Sequence, residues 1–143
     1  MAVGQHTFPL MPPIKGVQIS TIHSPRWLLI NAGNANAGTG EQGMRDALET
    51  CESLARLGDG QLEQVLPFST GVIGQPLPVG KIIDALPLAM ANLSEAKWEQ
   101  AAQAIMTTDT FAKGVSKTLT LNQQTITING IAKGAGMIQP NMA

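Results

Sequence analysis

Apolar positions along this chain change period several times, and each change marks an element. From Glu41 to Leu57, the residues Met44, Ala47, Leu48, Cys51, Leu54 and Ala55 recur at three- and four-residue intervals. That spacing places them on one face of a helix, and Gly58-Asp59-Gly60 stops it. Trp27-Leu28-Leu29-Ile30, within Arg26 to Asn31, is a short continuous apolar run and predicts a buried strand. Gln64 to Phe68 predicts a second. Val79 to Met90 predicts a helix, with Pro78 near its start and Pro87 placed to bend or end it. A further helix opens at Ser94-Glu95-Ala96-Lys97 and runs through Trp98 to Ile105, with Ser94 as its N-cap. Val115 to Leu121 and Thr125 to Ile128 alternate about Asn122-Gln123-Gln124, the pattern of a hairpin.

Met1 to Ser20 is irregular and punctuated by Pro9, Pro12 and Pro13, with a weak strand-like alternation from Ile14 to Ser20. Thr21 to Pro25 predicts a turn. The order strand, helix, strand, helix, helix, hairpin predicts an α/β or α+β class, with no repeat and no long linker.

Composition narrows the setting. At 143 residues the chain is one domain or a large piece of one. Charged residues make up 13%, against about 25% in ordinary domains. Much of the surface is therefore expected to lie against a partner chain or in a broad interface. The net charge of −1 offers no electrostatic case for nucleic acid or an anionic membrane. No apolar run approaches the ~20 residues of a membrane span, and the N-terminus lacks the pattern of a signal peptide. Cys51 is the only cysteine, so no internal disulfide forms, and a cytoplasmic location is expected. No spacing links Cys51 with His6 and His23 as metal ligands, so no metal site is expected. Seven Met and three Phe without Tyr predict a core of aliphatic and Met packing, which says little about chemistry.

Four polar loops carry the candidate chemistry. Asn31-Ala32-Gly33-Asn34-Ala35-Asn36-Ala37-Gly38-Thr39-Gly40 alternates amides with tiny side chains. It can admit a ligand, or it can be a turn that satisfies its own hydrogen bonds. Its glycines lack the Gly-x-Gly-x-x-Gly spacing of a dinucleotide site. In Ser69-Thr70-Gly71-Val72-Ile73-Gly74, Thr70 and the Gly71 N–H are suitable donors to a developing oxyanion, and the segment also reads as a strand-to-helix turn. It is no phosphate loop, because no Gly-Lys-Ser/Thr follows. Met106-Thr107-Thr108-Asp109-Thr110 sets three hydroxyls and a carboxylate within four residues. Such a loop can hold a polar substrate, cap a helix or form an Asx turn. Lys133, between Ala132 and Gly134, can bind a carboxylate as a point charge or simply be solvated. After it the chain runs Gly134-Ala135-Gly136-Met137-Ile138-Gln139-Pro140-Asn141-Met142-Ala143, an apolar end without a polar tail, which suggests a cut chain.

Taken in order and spacing, these four segments resemble the signatures of the ornithine acetyltransferase (glutamate N-acetyltransferase) family, over roughly Trp27 to Ala143. The resemblance implies an α+β sandwich completed by a β chain, in an α2β2 assembly. It implies transfer of an acetyl group from N-acetylornithine to glutamate in arginine biosynthesis, with no cofactor; some members also take acetyl-CoA as a substrate. The nucleophile is then a threonine directly after Ala143, freed by self-cleavage at that bond and activated by its own α-amino group. Thr70 and Gly71 match the oxyanion-hole pair. Thr107 matches a substrate-binding threonine, with Thr108 and Thr110 close enough to take the same register. Lys133 matches a substrate-binding lysine, and Gly134 and Gly136 would form the turn to the cleavage site.

Two departures stand out against the family pattern. The stretch between Val17-Gln18-Ile19-Ser20 and Pro25-Arg26-Trp27 is short by several tens of residues, and Phe111-Ala112-Lys113 lacks a proline before the lysine. Two other readings remain open beside the transferase: a non-catalytic domain that binds ornithine or glutamate, and a self-cleaving amidohydrolase.

Overall fold

A computed structural model describes residues 25–135. The strand expected over Ile14 to Ser20, the shortened stretch before Pro25, His6 and His23, Gly136 and the cleavage position Ala143 lie outside the described residues. The elements are β1 (Trp27–Asn34), α1 (Gly40–Leu57), β2 (Val65–Val72), α2 (Val79–Ala91), α3 (Trp98–Ala104), β3 (Lys113–Leu121) and β4 (Gln124–Ala132). β1 and β2 pair in parallel, with α1 as the crossover between them. β3 and β4 form an antiparallel hairpin. The expected α/β class holds.

The core follows the helical period read from the sequence. Ala47, Cys51, Leu54 and Ala55 of α1 are buried. Cys51, Leu54 and Ala55 pack with Leu29 of β1, Val65 of β2, and Ile82 and Leu86 of α2. The two helices meet over this pair of strands. Burial pushes the Cys51 thiol up to about 12.

α1 ends in a Schellman arrangement. Gly60 N–H donates to the Ala55 carbonyl and Asp59 N–H to that of Arg56, with Asp59 in the left-handed slot at φ 50°. The flanking glycines are small for another reason: the Trp27 ring lies over both Gly58 and Gly60, where a Cβ would collide with it. The Arg26 guanidinium lies over the same ring, 4.2 Å from the centroid.

The ends of β1 and β2 and the start of α3 differ from expectation, while α2 forms over the expected span. Asn31 to Asn34 and Ser69 to Val72 are strand rather than loop, because the parallel backbone pairing continues past the apolar side chains. α2 runs through Pro87 to Ala91. The proline forfeits its own N–H bond, and the flanking turns continue. α3 begins at Trp98 with Lys97 at the N-cap position, not at Ser94. The Ser94 hydroxyl accepts the Ala96 N–H at 3.3 Å and its carbonyl accepts the Lys97 N–H at 3.1 Å. These bonds close a separate turn before the helix.

The hairpin turns on two residues, Asn122 and Gln123, both at positive φ (49° and 65°), and Gln124 already pairs with Leu121. Register places Val115, Leu119, Leu121, Ile126 and Ile128, with Lys117 among them, on one face, opposite a face of Ser116, Thr118, Thr120, Thr125, Thr127 and Asn129. All five apolar residues are exposed. α3 packs against this hairpin.

Candidate active site

The amides of the first loop form a scaffold. Ser69 Oγ donates to Asn31 Oδ1 at 2.6 Å, and Asn31 Nδ2 donates to the Asn34 carbonyl at 2.9 Å. Asn34 Nδ2 donates to the carbonyls of Gln75 and Pro76, each at 3.0 Å, while its Oδ1 accepts the Asn36 N–H at 2.8 Å. Asn36 Nδ2 donates to the Gly43 carbonyl in α1, and Thr39 Oγ1 donates to Asn36 Oδ1. Asn31 and Asn34 are buried, where unpaired amides would be costly. The loop therefore satisfies itself, and in doing so ties the ends of β1 and β2 to each other and to α1.

That scaffold carries Thr70 and Gly71 at the end of β2. Gly71 pairs with Gly33 across the sheet, next to a register shift at Asn34. Its φ is 133°, and a Cβ there would overlap the Gly33 carbonyl group. No other residue fits this approach. Thr70 is only 6% exposed, so its hydroxyl needs a partner inside the protein.

Lys133 is that partner. Its ammonium donates to Thr70 Oγ1 at 3.3 Å and to Thr107 Oγ1 at 2.5 Å. Three of the four candidate positions thus converge on one cation, and Gly71 adjoins Thr70 in the chain. Of the three hydroxyls in the 106–110 loop, Thr107 is the one bonded to Lys133; Thr108 and Thr110 are exposed.

Asp109 holds this loop from beneath. Its side chain is fully buried and accepts Lys113 Nζ and the Gly134 N–H, each at 2.6 Å, on Oδ1, and the Thr107 N–H at 3.4 Å on Oδ2. The Lys113 ammonium, with the Gly134 and Thr107 amides, keeps this carboxyl well below the usual carboxylate range. Sequence reasoning counted Asp109 among the polar groups of its loop and gave it no task. Its four-residue spacing to Lys113 was the available signal, but that spacing is common on solvated surfaces.

Within the cluster Thr70 is buried, Lys133 half-buried and Thr107 exposed. A hollow of ≈ 350 Å³ between α3 and the hairpin, lined by Trp98, Ser116 and Asn129 among others, includes none of Thr70, Gly71, Thr107 or Lys133. Among the described residues, no group of three or more His, Cys, Asp and Glu could hold a metal ion. No helix among them is long and apolar enough to cross a membrane.

The chain is similar to proteins named arginine biosynthesis bifunctional protein ArgJ. That of Methylococcus capsulatus is 56% identical over 120 residues, which cover 84% of this chain and 29% of the relative. That of Pseudomonas syringae pv. tomato is 58% identical over 118 residues, 82% of this chain and 29% of the relative. The chain thus spans about three-tenths of the length of these relatives. Among solved structures, the Bacillus halodurans ArgJ protein superposes with a TM-score of 0.73 at 36% identity, over 81% of this chain and 61% of that one. Mycobacterium tuberculosis ornithine acetyltransferase complexed with ornithine does so with a TM-score of 0.69 at 35% identity, over 81% of this chain and 62% of that one. The profile of the ArgJ family matches residues 12–143, and the chain belongs to the ArgJ family.

Proposed function

We propose that this chain is the α-chain part of an enzyme that transfers an acetyl group from N-acetylornithine to glutamate in arginine biosynthesis. The observation that carries the reading is the Lys133 ammonium bonded to both Thr70 and Thr107, in a chain whose relatives are named for arginine biosynthesis and one of whose structural neighbours is an ornithine acetyltransferase with ornithine bound. The nucleophile in this reading is a threonine that follows Ala143 and opens a β chain.

The threonine Oγ attacks the acetyl carbonyl, and its α-amino group takes the hydroxyl proton. The tetrahedral oxyanion accepts hydrogen bonds from Thr70 and from the Gly71 N–H. The C–N bond to ornithine then breaks, the amine leaves with the proton, and an acetyl ester remains on the threonine. Glutamate's amine attacks that ester, the new C–N bond forms, and the threonine oxygen regains a proton. An ammonium has three protons. Two of those on Lys133 point at Thr70 and Thr107, which leaves one for a substrate carboxylate. The open face of the cluster is walled by the β chain, in an α2β2 assembly in the cytoplasm. No cofactor is needed, and acetyl-CoA is a second acetyl donor to test.

The test is to produce the chain together with the segment that supplies the threonine, and to incubate it with N-acetylornithine and glutamate. N-acetylglutamate and ornithine are expected, with loss of both when that threonine is replaced by Ala. No transfer, or transfer that survives the replacement, overturns the reading. Acetate without N-acetylglutamate would make the enzyme an amidohydrolase. Binding of ornithine or glutamate without turnover would make it a binding domain.

A further inference from the structure

We propose that Asp109 and Lys113 act as a positioning pair that sets the Lys133 ammonium against Thr107 and keeps its positive charge available to a substrate carboxylate. This rests on the acetyl-transfer reading for its consequence in catalysis, but not for its geometry.

One buried carboxylate joins two backbone amides, one in its own loop and one beside Lys133, to the Lys113 ammonium. Oδ2 accepts the Thr107 N–H, within its own loop. Oδ1 accepts the Gly134 N–H, the amide directly after Lys133. Oδ1 also accepts Lys113 Nζ, from the first residue of β3. Both partners of the Lys133–Thr107 bond are thereby anchored, one through its own amide and the other through the next. Gly134 sits at φ 138°, a conformation that side-chain-bearing residues rarely adopt. The turn that presents its N–H to Asp109 therefore depends on glycine.

Charge explains the lysine. An unpaired carboxylate under the cluster would compete for the Lys133 ammonium and repel an anionic substrate. Lys113 pairs with that carboxylate at 2.6 Å. It is itself seated on the Phe111 ring, 4.8 Å from the centroid. Its side chain is 32% exposed, whereas that of Asp109 is 0% exposed. Neither residue touches the reacting atoms in this arrangement.

The test uses the assembled protein and two readouts. In Lys113→Met the carboxylate loses its counter-charge. The KM for glutamate should rise about tenfold, the scale of one unscreened charge interaction near a protein surface, while kcat falls by less than KM rises. The double variant Asp109→Asn with Lys113→Met removes both charges and should bring KM back to within about threefold of the unsubstituted protein. A purely structural role would move kcat and KM together and show no such rescue, and that result overturns the proposal. The second readout is amide hydrogen exchange in Asp109→Ala, which does not depend on catalysis. Exchange at Gly134 should accelerate at least about tenfold, with α1 amides unchanged. Unchanged protection at Gly134 overturns the anchoring even if the protein proves to transfer no acetyl group. Failure of transfer in the unsubstituted protein bears on the function reading alone.

Discussion

The Lys133 ammonium lies 3.3 Å from the Thr70 hydroxyl, across a sequence separation of 63 residues. Replacing Lys133 by Met removes a charged donor shared by two hydroxyls. Hydrogen bonds to charged groups contribute about 1.5–3 kcal/mol, so kcat/KM for acetyl transfer should fall about 10- to 150-fold. Steady-state kinetics on the assembled enzyme checks this. A loss below threefold would show that Lys133 is a spectator.

Thr70 and Gly71 should fail in different ways. If Thr70 is an oxyanion donor, as proposed, Thr70→Ala should drop kcat about 100- to 1,000-fold with little change in thermal stability. Gly71→Ala puts a Cβ into the Gly33 carbonyl at a positive φ. Overpacking costs about 1–3 kcal/mol and backbone strain adds to it, so the melting temperature itself should fall. Equal melting temperatures for the two variants would contradict the close approach of β1 and β2.

The Asp109 carboxylate makes acid stability a readout of the same region. Its folded pKa is depressed, first by Lys113 and then by the amides of Gly134 and Thr107. The stabilisation is present in full above the unfolded value of about 3.9. It is lost progressively as the pH falls below that value toward the lower folded one. Urea unfolding at pH 6, 4 and 3 should show this decline, and Asp109→Asn should flatten it. An equally steep decline in Asp109→Asn would place the acid-sensitive group elsewhere.

Cys51 should be inert in the folded protein. Its thiol is buried and pushed up to about 12, so almost no thiolate exists at pH 8. Iodoacetamide at pH 8 should leave native protein unmodified, by intact mass, and label Cys51 once urea unfolds it. Rapid labelling of the native state would mean that the α1–α2 core opens.

The turn of the hairpin should accept glycine gladly. Gln123 sits at φ 65°, where a side chain costs roughly 1–2 kcal/mol and Gly costs nothing. Gln123→Gly should therefore raise the unfolding free energy by about 1 kcal/mol, less what the more flexible unfolded chain takes back. Chemical denaturation would show it, and a destabilised variant would mean that Gln123 makes a needed contact.

Legibility followed side-chain chemistry. α1 was readable because Ala47, Cys51, Leu54 and Ala55 bury one stripe, and the hairpin because Leu119, Leu121, Ile126 and Ile128 alternate. The far halves of β1 and β2 were not, because Asn31–Asn34 and Ser69–Val72 carry small or polar residues there and are held by backbone pairing and amide side-chain bonds rather than by apolar burial. The start of α3 was misplaced because Ser94 closes a turn as readily as it caps a helix. Thr70, Gly71, Thr107 and Lys133 came from motif resemblance rather than from period. The meeting of Thr70 and Thr107 at the Lys133 ammonium is a long-range fact that no local pattern encodes. Asp109 escaped because a carboxylate between threonines looks the same whether it caps a turn or ties its own loop to the distant Gly134 amide.

The bare apolar face of β3 and β4 has a consequence for how the chain must be handled in a cell. A two-stranded ribbon with one greasy side is marginal in water and is a template for sticking to its own kind. Synthesised without whatever covers Val115, Leu119 and Ile126, the chain would be drawn to chaperones or to aggregates in proportion to its concentration.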